Sequence, residues 1–171
     1  MNLVKRFALA SMLMFIFILS GCSDDPVQED LLHYVNEEMP DLANKEKEVV
    51  GKYEAVTGVN YTDDYTLYDA LKLEIIPEYN AFIQKLEAVE TKTDELRKLH
   101  EDFIEATNLQ ASAFILIVTA IENQDSNTIN EANEKLNTAR KMMRDYQNDV
   151  EKLAKKHDVK LEKKDNDHES L

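Results

Sequence analysis

A single cysteine, Cys22, stands in 171 residues. The chain therefore holds no internal disulfide, no cysteine-paired haem attachment and no cysteine-based zinc set. Glycine and proline are equally scarce, at 3 each, too few for the turns of a sheet-rich domain, and Glu, Lys, Leu, Ala and Asn dominate instead. Positive charge is short as well: 20 Lys plus Arg face 34 Asp plus Glu, a net charge of −14. Such a chain repels nucleic acid and anionic lipid headgroups. No Gly-x-Ser-x-Gly, phosphate loop or zinc-ligand spacing occurs, so the sequence points away from an enzyme, and no cofactor is expected beyond a covalent lipid.

What the chain does have begins at its start. Lys5 and Arg6 precede an uncharged, almost wholly apolar run from Phe7 to Leu19, and no second hydrophobic span follows. An export signal carries about 7–15 apolar residues and a spanning helix roughly 20, so the run reads as a signal peptide. It ends in Leu19-Ser20-Gly21-Cys22. These four residues resemble the lipobox of bacterial lipoproteins, an aliphatic residue and two small ones before the cysteine that is cleaved free and modified. The resemblance implies removal of residues 1–21, a diacylglyceryl group on Cys22 and attachment to the outer face of the cell membrane. Two acyl chains suit stable anchoring, at about 0.8 kcal/mol per buried methylene. Loss of Lys5 and Arg6 takes the net charge from −14 to −16, so the protein surface itself would not adhere to an anionic bilayer. With its Lys/Glu/Asn/Ile-rich composition, the whole chain resembles the small lipoproteins of low-GC Gram-positive bacteria.

Residues 22–25 are expected to be the lipidated cysteine and a short tether, 26–157 a helical bundle, and 158–171 a disordered charged tail. Asp25-Pro26 reads as an N-cap followed by proline at the first helical position. Leu31, Val35, Met39, Leu42, Val49, Tyr53 and Val56 make the first apolar stripe, interrupted by Glu46 and expected to kink or restart at Pro40. Gly58 is the natural stop, and 58–64 a loop. Leu67, Leu71, Ile75, Tyr79, Phe82, Leu86 and Val89 make the second stripe, with Pro77 inside it. Thr91 with Asp94 resembles a capping box, which favours a tight turn near 90–93 over one helix of about sixty residues. The third helix is expected over 94–123, with Gln110 the polar exception on its inner face. The fourth starts after Asp125-Ser126, with Ile129, Ala132, Leu136, Ala139, Met143, Tyr146, Val150 and Leu153 as its seam. The fold class expected is all-α, an antiparallel up-down-up-down bundle of four long helices, about 40–48 Å in length.

In that arrangement the loops at 58–64 and 123–127 lie far from the anchor. Tyr53, Tyr61, Tyr65 and Tyr68 gather there with Val59, and tyrosine is favoured at contact sites. These four tyrosines are the candidate partner contact, although Val59 and Tyr61 could instead close over the apolar half of the third helix as a satellite core. Di-iron chemistry needs paired Glu-x-x-His motifs; Asp30 with His33 is the only related spacing in the helices, so His33 reads as a boundary histidine, and Asn127, Asn130, Asn133 and Asn137 as a solvated ridge. The function expected is non-enzymatic, a lipid-tethered interaction module for another envelope protein. A binder of a small soluble ligand and a structural or envelope-stress spacer are the alternatives.

Overall fold

The computed structural model describes residues 25–161, and among them there is helix and turn but no strand. Four rods build the domain. The first joins α1 (Pro26–His33) to α2 (Met39–Glu54) and the second joins α3 (Asp64–Ala70) to α4 (Ile76–Glu87). The third is α5 (Asp94–Asn123) and the fourth α6 (Ser126–Lys156). The lipobox residues Leu19, Ser20, Gly21 and Cys22, and the segment from 162 onward, lie outside the described residues.

The two prolines explain how the first two rods are built. Proline brings no N–H and crowds the carbonyl four residues earlier. Just before each proline the backbone widens by one residue: Met39 N–H bonds to the Tyr34 carbonyl and Ile76 N–H to that of Leu71. These five-residue π-turns, Tyr34–Glu38 and Leu71–Ile75, carry the helix past the proline without ending it. The buried face stays continuous, with Leu31, Val35, Met39, Leu42 and Val49 on one rod and Leu71, Ile75, Tyr79, Phe82 and Leu86 on the other.

The α5–α6 pair is the most extensive contact in the molecule. Ala106, Ala113 and Ala120 of α5 and Ala132 and Ala139 of α6 are all buried, and Phe103 stacks on Tyr146 at 4.6 Å across the pair. Neither helix stops at a glycine. Gln124 takes the left-handed conformation (φ 53°) and Asp125 N–H reaches the Ala120 carbonyl. Asp158 does the same (φ 55°), with Val159 N–H on the carbonyl of Ala154. That second turn folds Val159 into the core, with Leu161 packed beside it. The expected tail at 158–171 is thus corrected for residues 158–161: an apolar residue just past the left-handed turn completes the helix end and has a place to bury.

The turn between α4 and α5 is present, although Thr91 is not its cap. Thr93 is the N-cap and makes no side-chain bond to the helix. Instead Asp30, from α1, accepts the N–H groups of Lys92 and Thr93 and the Thr93 hydroxyl at 2.7–3.0 Å. Asp25 caps α1 through Val27 N–H and Gln28 N–H and pairs with His157 Nδ1 at 2.6 Å, while Gln28 Nε2 donates to the His157 carbonyl. These bonds gather residues 25–30, 92–93 and 157 at one end. At the other, Tyr68 and Lys72 reach Glu122. On the flank, Lys45 and Lys52 from α2 converge on Glu78 of α4, solvent-screened ion pairs that contribute little to stability.

Candidate functional site

Two regions stand out from an ordinary helical core, one buried and polar, the other exposed and aromatic.

The buried region lies between the first rod, α5 and α6. Tyr34, His100, Thr107, Gln110 and Glu46 are all buried. His100 Nε2 is 3.0 Å from the Leu86 carbonyl, which can only accept, so Nε2 carries the proton and Nδ1 is left as acceptor. Tyr34 then donates to Nδ1 at 3.0 Å and receives the Tyr146 hydroxyl at 2.9 Å. The relay holds His100 in one neutral form, and burial lowers its pKa in the same direction. Burial likewise raises the phenols of Tyr34 and Tyr146. Replacing Tyr34 with phenylalanine is expected to cost about 1–2 kcal/mol, because His100 Nδ1 and the Tyr146 hydroxyl both lose their buried partner. Thermal melting checks the loss, and NMR titration of His100 checks the relay.

Glu46 is the odd member. Desolvation pushes its carboxyl up to about 7, and its charge bears on the phenols of Tyr79 and Tyr146. The Tyr79 hydroxyl is fully buried and has no hydrogen-bond partner among the described residues. Periodicity marks Glu46 only as an interruption of the first stripe, and passes over Asp30 and Tyr34. A helix inside a four-rod bundle faces two neighbours, so its buried arc is wider than one stripe. The signal that could have found this pair was their spacing of four, which places them one above the other.

The exposed region is the end opposite Asp25. The four tyrosines expected there divide. Tyr53 is half-buried and packs on Phe114 at 4.8 Å, with its hydroxyl pushed up to about 12 by burial; it belongs to the core. Tyr68 is half-buried and donates to Glu122 at 2.7 Å. Tyr61 and Tyr65 are 46% and 74% exposed, and Val59 83%. Val59 and Tyr61 therefore do not close over α5 as a satellite core. The loop extends instead: Gly58 is left-handed (φ 60°), and Asp63 accepts Thr66 N–H to start α3.

Among the described residues, His33, His100 and His157 each have polar neighbours. His33 lies between Glu37 and Glu38 at the surface, and His157 faces Asp25 with Glu95 at 3.8 Å. Among the described residues no group of three or more His, Cys, Asp or Glu is placed to hold a metal. The helix Asp94–Asn123 is long and apolar enough to cross a membrane by composition, yet it is a core helix here, with its Phe103, Ala113, Phe114 and Ile117 buried against the other rods.

The class these features define is an all-α domain of four long rods with a polar seam inside and an aromatic loop at one end. Residues 42–158, from within α2 to just past the end of α6, match the family described as uncharacterised lipoprotein PM1805, and the chain belongs to that family. Lipoprotein character thus comes both from the family, through the folded domain, and from the resemblance at Leu19–Cys22, outside it. No curated protein and no solved structure matches the chain.

Proposed function

We propose that this lipoprotein is a non-enzymatic interaction module, held by lipid on Cys22 at the outer face of the cell membrane, and that it docks another envelope protein with the 58–65 end of its bundle. The observation that carries the reading is the exposure of Val59, Tyr61 and Tyr65 on one short segment. Apolar and aromatic side chains held out together are uncommon on a self-sufficient monomer, and tyrosine is enriched where binding energy concentrates. Asp25 and its bonds to His157 stand at the other end of the rods, which supports placing the 58–65 segment away from the anchor. The strongly acidic surface supports a protein partner over nucleic acid.

The test is crosslinking on intact cells of the source bacterium, with a photoreactive amino acid in place of Tyr61 and, as control, in place of the exposed Asn137. A single heavy adduct from the Tyr61 position alone is the expected result. Equal adducts from both positions, or none from either with the protein correctly lipidated, would overturn it.

A further inference from the structure

Three polar side chains enter the middle of the bundle from three different rods and find no partner there. Tyr79 of α4 is 0% exposed, and its hydroxyl has no hydrogen-bond partner among the described residues. Glu46 of α2 and Gln110 of α5 are 8% and 6% exposed, and neither side chain is hydrogen-bonded to another described residue. Burial alone acts on the Glu46 carboxyl, with no neighbour's hydrogen bond or charge to offset it. Contacts on either side put the three at one level. The first rod and α5 run in the same direction, and they are brought together where Tyr34 meets His100 and again where Tyr53 meets Phe114. Glu46 and Gln110 both stand about two-thirds of the way from the first meeting to the second. Tyr79 arrives from the second rod: Glu78 beside it bonds Lys45 beside Glu46, and its ring lies 5.4 Å from that of Phe114, one turn beyond Gln110. The charge of Glu46 also bears on the Tyr79 phenol.

We propose that Glu46, Tyr79 and Gln110 form an internal hydration site that holds about one or two water molecules across the centre of the bundle. Buried polar groups are costly unless paired, and where no protein group serves, an ordered water is the usual partner. Such a water needs two to four polar groups around it. A phenol, a protonated carboxyl and an amide each donate and accept, so they can meet it in either sense. One carboxyl, pushed toward its neutral form by burial, offers a metal ion little charge. The site is separate from the Tyr34–His100–Tyr146 relay, whose members satisfy one another, and it does not depend on the docking end. It also gives one reason for two breaks in the apolar stripes, Glu46 in the first and Gln110 in the third.

The experiment uses the full mature chain, lipidated and in detergent, and oxygen-17 relaxation dispersion of the solvent, whose amplitude counts long-lived internal waters. The parent is expected to exceed a variant combining Glu46→Leu and Gln110→Leu by about one or two waters. Asn137→Ala, on the exposed surface, should match the parent. Should the leucine pair fail to fold, Tyr79→Phe, which removes a single oxygen, takes its place, again with a smaller amplitude than the parent's. Thermal melting of Tyr79→Phe gives a second readout whose sign decides. If the hydroxyl is bonded to water, its loss lowers Tm by about 2–4 °C. If it stands unpaired in a dry core, its removal raises Tm, because a buried polar group without a partner has been taken away. Equal dispersion amplitudes in parent and variant, or a Tyr79→Phe protein that melts at or above the parent, sink the inference.

Discussion

Replacing Asp30 with alanine lowers the stability of the domain by about 3 kcal/mol, read as a fall in the urea midpoint at unchanged slope. The carboxylate is 2% exposed and one of its oxygens serves three donors on the α4–α5 turn. Bonds to a charged acceptor contribute about 1.5–3 kcal/mol each in favourable cases, and these are discounted because Lys92 and Thr93 keep some access to water. Two backbone N–H groups and a hydroxyl would be left without their partner, and the start of α5 would lose the side-chain bonds that tie its turn to α1. Asparagine keeps an oxygen and gives up the charge, so Asp30→Asn is expected to cost about 1 kcal/mol. A domain of this size should show the alanine variant melting about 6–12 °C lower. A loss of less than about 0.5 kcal/mol for alanine, the ordinary range of surface substitutions, would mean that the turn is held by packing alone.

The second large effect is conditional on pH. Glu46 has its carboxyl raised to about 7 by burial, from an ordinary value near 4.5, so the folded protein holds this proton more tightly than the unfolded chain. Stability from that proton is complete below about 4.5 and is lost as pH rises through 7, for a total near 3 kcal/mol. Glu46→Gln keeps the shape and removes the titration. At pH 8 the variant is expected to be more stable than the parent by about 2–3 kcal/mol, and near pH 4 the two should agree within about 1 kcal/mol. His100 bends the curve the other way. Burial lowers its pKa, so its stability is present at neutral pH and is lost as pH falls below the ordinary histidine range. The difference between parent and variant cancels that contribution, since His100 is common to both. Chemical denaturation of both proteins across the pH range is the check, and a difference that does not grow between pH 5 and 8 would show that Glu46 is not desolvated.

The sequence displays what repeats and hides what happens once. The seam from Ala132 to Leu153 repeats at three and four, and every residue of it is buried. Pro40 and Pro77 were legible as disturbances, but a π-turn leaves no mark in periodicity, because the apolar face resumes on both sides of it. Asp30 was invisible as a cap, since its partners lie more than sixty residues away in the chain. The ends of α5 and α6 fall close to the expected 123 and 157, but how each helix stops was hidden: left-handed turns usually advertise themselves with glycine, and here Gln124 and Asp158 fill that role. At the aromatic end, composition identified the tyrosines but not their division. Tyr53 went inward because Phe114 offers it a ring to pack on, whereas Tyr65 begins a helix whose buried face is carried by Leu67 and Leu71.

The clasp of Asp25 with His157 bears on how far the protein can reach. With Cys22 lipidated as proposed, only about 10 Å of chain separates the lipid from Asp25, and Asp25 is fastened to the end of α6 as well as to the start of α1. A tether so short keeps the base of the rods close to the lipid. With α6 at 31 residues, the tyrosine loop would ride up to about 45 Å higher when the rods stand upright. The protein would then act as a depth gauge. A partner segment lying flush with the bilayer would pass beneath the loop untouched, and only one raised to that height would meet Tyr61 and Tyr65.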